Sequence, residues 1–161
     1  MSLNKGYFII GTDTGIGKTY VSTLLYQGVK KVNGGYYKPI QSGAFEMLGK
    51  LVSPDVEFLC EYNKIPYDTD MTTYLLRAEV SPHLAAELDN VEVKPDKIKK
   101  HWEKLNKKYD TLIVEGAGGL FVPIVRGKYY MYDLVKMLDI PVIIVTGNRV
   151  GSINHTMLTV N

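Results

Sequence analysis

The sequence predicts an α/β protein: a parallel β-sheet flanked by helices on both faces, a three-layer α/β/α arrangement. Three observations predict it. An apolar run, Tyr7-Phe8-Ile9-Ile10, passes through the glycine-rich stretch Gly11-Thr12-Asp13-Thr14-Gly15-Ile16-Gly17-Lys18-Thr19 into a helical pattern. Two later apolar runs, 111–114 and 140–145, also lead into loops rich in glycine. Between these runs lie segments of helical period, the alternation from which parallel sheets are built.

Strand, glycine-rich turn, Gly-Lys-Thr and helix form the context of a phosphate-binding loop, so the fold is expected to be P-loop NTPase-like. Backbone N–H groups of the turn and the positive end of the helix point at one spot, which favours an anion. Lys18 adds a charge for the outer phosphates, and the Thr19 hydroxyl can ligate Mg²⁺. The loop is a variant: the first glycine of the strict pattern would fall at Thr12, and here it stands one place earlier, at Gly11. A nucleoside triphosphate is the expected ligand.

Composition sets the outer bounds. With 161 residues, 45% hydrophobic and 22% charged, residues 1–161 read as a single globular domain with a real core. A net charge of +2 and the lack of a basic block interleaved with aromatics argue against nucleic acid and against an anionic membrane. The one cysteine, Cys60, excludes an internal disulfide and a cysteine-cluster metal site, and its phase in Val56-Glu57-Phe58-Leu59-Cys60 places it in the core. No apolar run approaches membrane-spanning length and no basic, apolar signal segment opens the chain, so the expected location is cytoplasmic. Met1-Ser2-Leu3 reads as a cloning remnant.

After the loop, Tyr20 to Val32 is a helix with Val21, Leu24, Leu25, Gly28, Val29 and Val32 on its inner face, stopped by Asn33-Gly34-Gly35. Tyr36-Tyr37 begins a short second strand whose ladder is expected to stop at Pro39. Ligands collect beyond the carboxyl ends of parallel strands, so Lys38 and Ser42 can face the loop's pocket. A solvated lysine and a turn serine fit the spacing equally well. Ser53-Pro54-Asp55 opens a helix with Ser53 as N-cap, and the helix dipole alone accounts for Asp55. Residues 61–80 carry no assignable pattern. Ser81-Pro82 repeats the cap before 83–88, and His83 there reads as a packed or solvated side chain. Lys94 to Tyr109 is an amphipathic helix with Ile98, Trp102 and Leu105 inside, and its lysines and His101 on a solvated face.

The run 111–114 ends in Glu115, followed by Gly116-Ala117-Gly118-Gly119. A carboxylate at the end of a buried strand, beside a phosphate loop, suits the ligation or orientation of Mg²⁺. Its burial demands a cation or donor alongside. Residues 121–125 are a loop or short extended segment, 132–138 a helix, and 140–145 a further parallel strand. Residues 146–155 form a glycine-bearing loop that opens a last helix reaching Asn161. Repeats and linkers are absent from the sequence.

Together these motifs resemble the dethiobiotin synthetase family of biotin biosynthesis. The resemblance is carried by Gly11 to Thr19, Tyr37-Lys38-Pro39 with Ser42-Gly43, Ser81-Pro82-His83, Val114 to Gly119, and Gly151-Ser152-Ile153-Asn154-His155. It implies a homodimeric ligase that uses MgATP and CO₂ (or bicarbonate) to close a cyclic urea on diaminopelargonate, without nucleic acid or membrane. One amine captures CO₂ as a carbamate, the carbamate oxygen takes the γ-phosphoryl group, and the second amine expels phosphate.

The resemblance also implies roles. Thr12, Asp13, Thr14, Gly15, Ile16, Gly17, Lys18 and Thr19 would bind nucleotide, with Glu115, Gly116 and Gly118. Thr19, Asp55 and Glu115 match the Mg²⁺ ligands. Lys18 and Lys38 match the catalytic lysines, Lys38 standing between carbamate and γ-phosphate. Thr14 and Ser42 would contact the carbamate or substrate amines. Val150, Gly151, Ser152, Ile153 and Asn154 would receive the substrate carboxylate across the dimer interface. Two departures are noted: Gly15 stands where some members carry Glu, and the chain is expected to lack the family's C-terminal portion, including its adenine-recognition residues.

Three rivals share the loop. An amidotransferase-type synthetase of cobalamin synthesis would need a glutaminase domain. A partitioning-type ATPase switch carries a lysine at the place of Asp13. The third is a truncated nucleotide-binding domain without turnover.

Overall fold

The computed structural model describes residues 6–161, so Met1-Ser2-Leu3 and the reading given to it lie outside the described residues. The strands are β1 (Gly6–Gly11), β2 (Gly34–Ser42), β3 (Phe45–Met47), β4 (Lys50–Val52), β5 (Thr72–Leu76), β6 (Thr111–Glu115), β7 (Pro123–Val125), β8 (Tyr129–Tyr130) and β9 (Val142–Val145). The helices are α1 (Lys18–Val29), α2 (Pro54–Asn63), α3 (Pro82–Leu88), α4 (Pro95–Lys108), α5 (Met131–Leu138) and α6 (Ser152–Val160). No helix among the described residues is long and apolar enough to cross a membrane.

Five strands form one parallel sheet in the order β5-β2-β6-β1-β9. Alternation sends successive side chains to opposite faces. Ile9, Tyr36 and Ile113 pack beneath α1 and α2, against Tyr26, Val56 and Leu59. Phe8, Tyr37, Leu112 and Val114 pack on the other face against Ala85 of α3, Ile98 of α4 and Leu134 of α5. These are the three expected layers. Cys60 lies in the first cluster, buried as expected.

Several expectations need correction. β2 does not stop at Pro39 but runs nine residues. Its ladder with β6 ends at Tyr37, while that with β5 pairs Lys38 and Ile40, so the missing N–H of Pro39 falls where the strand changes partner. On α1 the buried residues are Lys18, Ser22, Thr23 and Tyr26, whereas Leu24, Gly28 and Val32 are exposed. Val21, Leu25 and Val29 do pack on the sheet. The phosphate loop fixes the phase of this helix, because Lys18 must turn inward. Within 61–80 the chain finishes α2, makes a 3₁₀ turn at Thr69–Met71, and adds β5 as an edge strand. Residues 123–125 form β7, paired antiparallel with β8.

At α2, Ser53 caps as expected, its Oγ accepting from the N–H of Val56 at 3.2 Å. Ser81 precedes α3, but its side chain makes no cap bond. His101 is not on a solvated face: its Nδ1 lies 2.8 Å from Thr73 Oγ1, and its ring packs against Tyr37.

Candidate active site at the phosphate loop

β1 delivers the chain to the loop at Gly11, and α1 leaves it at Lys18. Gly15 and Gly17 adopt left-handed backbone, φ 67° and 101°, which favours glycine. The displaced glycine also has a physical reason. A Cβ on Gly11 would lie 2.8 Å from both the Asp13 carbonyl oxygen and Ile16 Cγ2, and 3.0 Å from Lys18 Nζ. The tight approach in this loop falls at position 11, so Thr12 is free to carry a side chain.

Lys18 is buried and donates to the Asp13 carbonyl at 3.0 Å, curled into its own loop. Burial, then the nearby ammonium of Lys38, brings its pKa below the ordinary lysine value. Asp13 accepts from the Thr14 N–H at 2.8 Å on one oxygen and from Arg149 Nη2 at 2.5 Å on the other. The Thr14 bond first, and then Arg149, hold its carboxyl below the usual range.

Beside the loop, three elements bring charges together. Lys38 of β2 lies 2.6 Å from Asp55 Oδ2 on α2 and 2.9 Å from Glu115 Oε1 on β6, and donates to the Gly116 carbonyl at 3.2 Å. Thr19 donates to the same Glu115 Oε1 at 2.9 Å. Tyr36, two residues before Lys38 and on the same face of β2, donates to Glu115 Oε2 at 2.9 Å. Lys38 and Glu115 are almost wholly buried.

Burial alone would pull the pKa of Lys38 down, but the carboxylates of Glu115 and Asp55 outweigh it and leave it raised. Burial pushes Asp55 up, and Lys38 overcomes that to hold it below the ordinary 3.8. Tyr36 is pushed well up, by burial first and then by Glu115, so it stays a donor. The demand that a buried Glu115 have a cation and donors beside it is met.

Thr19, Asp55 and Glu115 thus offer three hard oxygen donors at the mouth of a phosphate loop. That donor set fits Mg²⁺, which takes one or two carboxylates and completes its shell with phosphate oxygens and water.

The remaining expected residues divide. A Cβ on Gly116 would meet Phe8 Cε1 at 2.9 Å, so a side chain there would force a buried neighbour to shift. Gly118 is left-handed and approaches Thr14 Oγ1. Ile16 packs under the loop, near Gly11 and Gly147. A cavity of about 310 Å³ opens between Thr12, Asp13, Thr14, the 119–122 segment and α6. Ser42 lies further along β2, its hydroxyl buried without a hydrogen-bond partner among the described residues. Val150, Gly151, Ile153 and Asn154 are exposed at the start of α6, and no residue of that helix is fully buried. They are not drawn into the charged cluster. Their neighbour Arg149 reaches the loop through Asp13. A larger cavity, about 660 Å³, lies among lysines at the start of α4 and includes none of these residues.

Sequence reasoning missed Tyr36 and Arg149. The two-residue spacing of Tyr36 from Lys38 in one strand was a usable signal. Nothing in the sequence pairs Arg149 with Asp13 across 136 positions.

Loop, strand-end carboxylate and buried lysine define a P-loop nucleotide-dependent enzyme, and residues 5–161 match the family described as AAA domain. Among individual proteins, the chain is 55% identical to the ATP-dependent dethiobiotin synthetase of Fusobacterium nucleatum over 157 residues, 98% of this chain and 72% of that protein. It is 45% identical to that of Anoxybacillus flavithermus, covering 97% of this chain and 71% of that protein. It is 42% identical to that of Clostridium botulinum strain Loch Maree, at 96% and 70%. The chain belongs to the ATP-dependent dethiobiotin synthetase family, the ligases of biotin biosynthesis.

Proposed function

We propose that this chain catalyses ATP-dependent closure of the ureido ring of dethiobiotin from diaminopelargonate and CO₂, with the residues above in the roles the family resemblance implies. The observation that carries the reading is Lys38, a buried ammonium shared by Asp55 and Glu115 beside the phosphate loop. A buried lysine so placed is charged, preorganised and within reach of phosphates seated on the loop, and electrostatic preorganisation is what phosphoryl transfer needs from a protein.

The loop N–H groups of Gly15 to Thr19 cradle the phosphates, and Lys18 leaves the Asp13 carbonyl for the outer ones. Thr19, Asp55 and Glu115 would hold Mg²⁺, which when bound neutralises charge on the phosphate oxygens. Lys38 sits between the carbamate and the γ-phosphate and offsets both. Thr14 and Ser42 orient the amine and carbamate end, and the cavity beside Thr12 to Thr14 supports room for that substrate. The Val150–Asn154 segment serves the substrate carboxylate of a second subunit, a reading supported by its exposure. The working unit is then a homodimer, and its location the cytoplasm.

The test is phosphate release from MgATP and bicarbonate with and without diaminopelargonate, the product identified by mass. Release that requires the diamine and yields the cyclic urea is expected. Release indifferent to the diamine would overturn the proposal in favour of a nucleotide switch.

A further inference from the structure

We propose that Tyr36 is a positioning residue for the metal-binding carboxylate: it ties down one oxygen of Glu115 so that the other is aimed at the phosphate loop. The inference rests on the assignment of Glu115 as a Mg²⁺ ligand and goes beyond it by naming what orients that ligand.

Glu115 is fully buried, and its hydrogen bonds divide unevenly between its two oxygens. Oε1 accepts from Thr19 Oγ1 and Lys38 Nζ, both at 2.9 Å. Oε2 accepts from the Tyr36 hydroxyl, also at 2.9 Å. Thr19 and Lys38 belong to the nucleotide machinery, and both are drawn toward phosphate, carbamate or metal when ligands arrive. Tyr36 does not. It is 1% exposed, beneath α1 and α2, and among the described residues its hydroxyl hydrogen-bonds to Glu115 alone.

The register explains the reach. Tyr36 lies opposite Ile113, two residues short of Glu115 on the neighbouring strand, a rise of about 7 Å. The ring spans that distance up the sheet, and the hydroxyl at its tip meets the carboxylate. β2 thereby supplies two donors at i and i+2 on one face, Tyr36 to Oε2 and Lys38 to Oε1.

When Lys38 turns to the reacting groups, the Tyr36 bond alone keeps Oε2 satisfied and the carboxylate plane fixed. Without it, a buried acceptor is left without a donor and either oxygen can rotate toward the metal. Partners that orient a metal ligand in this way commonly change metal affinity ten- to a hundredfold when removed.

The experiment is equilibrium binding of a non-hydrolysable ATP analogue over a range of Mg²⁺ concentrations, with no diamine present. For Tyr36→Phe, the Mg²⁺ concentration giving half of the affinity gain should rise about tenfold, with metal-free nucleotide affinity unchanged. On a Glu115→Gln background the same substitution should add less than about twofold, since coupled residues are not additive. Tyr37→Phe, which removes an equally buried hydroxyl bonded to Thr73 on the other face of β2, should leave the Mg²⁺ dependence alone.

Wild-type Mg²⁺ dependence in Tyr36→Phe would overturn the inference. So would a shift of equal size on the Glu115→Gln background or in Tyr37→Phe, either of which would trace the effect to strand packing. A wild-type protein whose nucleotide affinity ignores Mg²⁺ would overturn the metal assignment and this inference with it, an outcome distinguishable from a responsive wild type matched by its variant.

Discussion

Lys38 holds two carboxylates together, and on the proposed reading the same side chain turns to chemistry when ligands arrive. Its ammonium neutralises the buried carboxylate of Glu115 and the partly buried one of Asp55, and the same charge would be available for transfer of a phosphoryl group. Lys38→Ala should abolish turnover and leave MgATP affinity within a few-fold of wild type. Loss of nucleotide binding to the same extent would sink the assigned role. Glu115→Gln should raise the Mg²⁺ requirement for nucleotide binding, and an unchanged metal titration would refute the ligand assignment. Gly11→Ala should cost nucleotide affinity well beyond the small effect of an ordinary Gly→Ala, because the new methyl meets a backbone carbonyl that cannot give way. Binding at the wild-type level would show that the loop relaxes.

Cys60 makes the opposite case at this scale. It is buried against Met71 and Pro66, and burial pushes its thiol up to about 11. The thiolate is the reactive form, so at pH 8 the folded protein should resist iodoacetamide and react only once unfolded. Glu115, Lys18 and Cys60 could be placed from the sequence, since each follows from a strand end, a motif or an apolar phase. Lys38 and Asp55 rested on the family resemblance, because bare spacing suited a surface lysine and a dipole-stabilising acid as well. The Asp13–Arg149 contact was invisible, being made by two loops with no shared pattern.

Among the elements, the two serine-proline helix starts separate in energy although they look alike in sequence. Ser53 caps α2 and also donates to Gln41 Oε1 at 2.7 Å in a fully buried position. Ser53→Ala should therefore cost about 2 kcal/mol, the upper end for a cap. Ser81 makes no such bond, and Ser81→Ala should stay within about 0.5 kcal/mol. Urea midpoints for the two variants decide it, and equal shifts would refute the distinction.

The elements that sequence located best, β1, β6, β9 and α4, have long periodic or apolar patterns. Those it misjudged were governed from outside. The phase of α1 is set by the loop ahead of it. β2 continues through a proline because it exchanges one neighbour for another there. β5 is a five-residue edge strand whose alternation is hidden among polar residues. His101 turns inward to meet Thr73, a long-range contact that no helical wheel reveals.

For the molecule as a whole, the charged cluster ties acid stability to the site. The folded state holds the Asp55 pKa below 3.8, so its charge contributes stability above that value. The contribution fades as pH falls through the folded-state pKa. Urea midpoints against pH should show Asp55→Asn less stable than wild type near neutrality, with a shallower decline below about pH 4. Parallel curves would mean that the Lys38–Asp55 pair does not contribute. The layer architecture was legible in the sequence because strand and helix patterns alternate. The strand order was not, since nothing in the apolar runs says which will be neighbours.

That order has a consequence for how the protein is made. β1 pairs only with β6 and β9, whose residues follow it by about a hundred positions or more. At cellular synthesis rates its partners leave the ribosome on the order of 5–30 s after it does. Phe8, Ile9 and Ile10, none of which has any exposed surface in the folded protein, spend that interval unpaired. The nascent chain therefore exposes this apolar strand well before it can hide it, and the nucleotide loop cannot close into shape until Val145 has been translated.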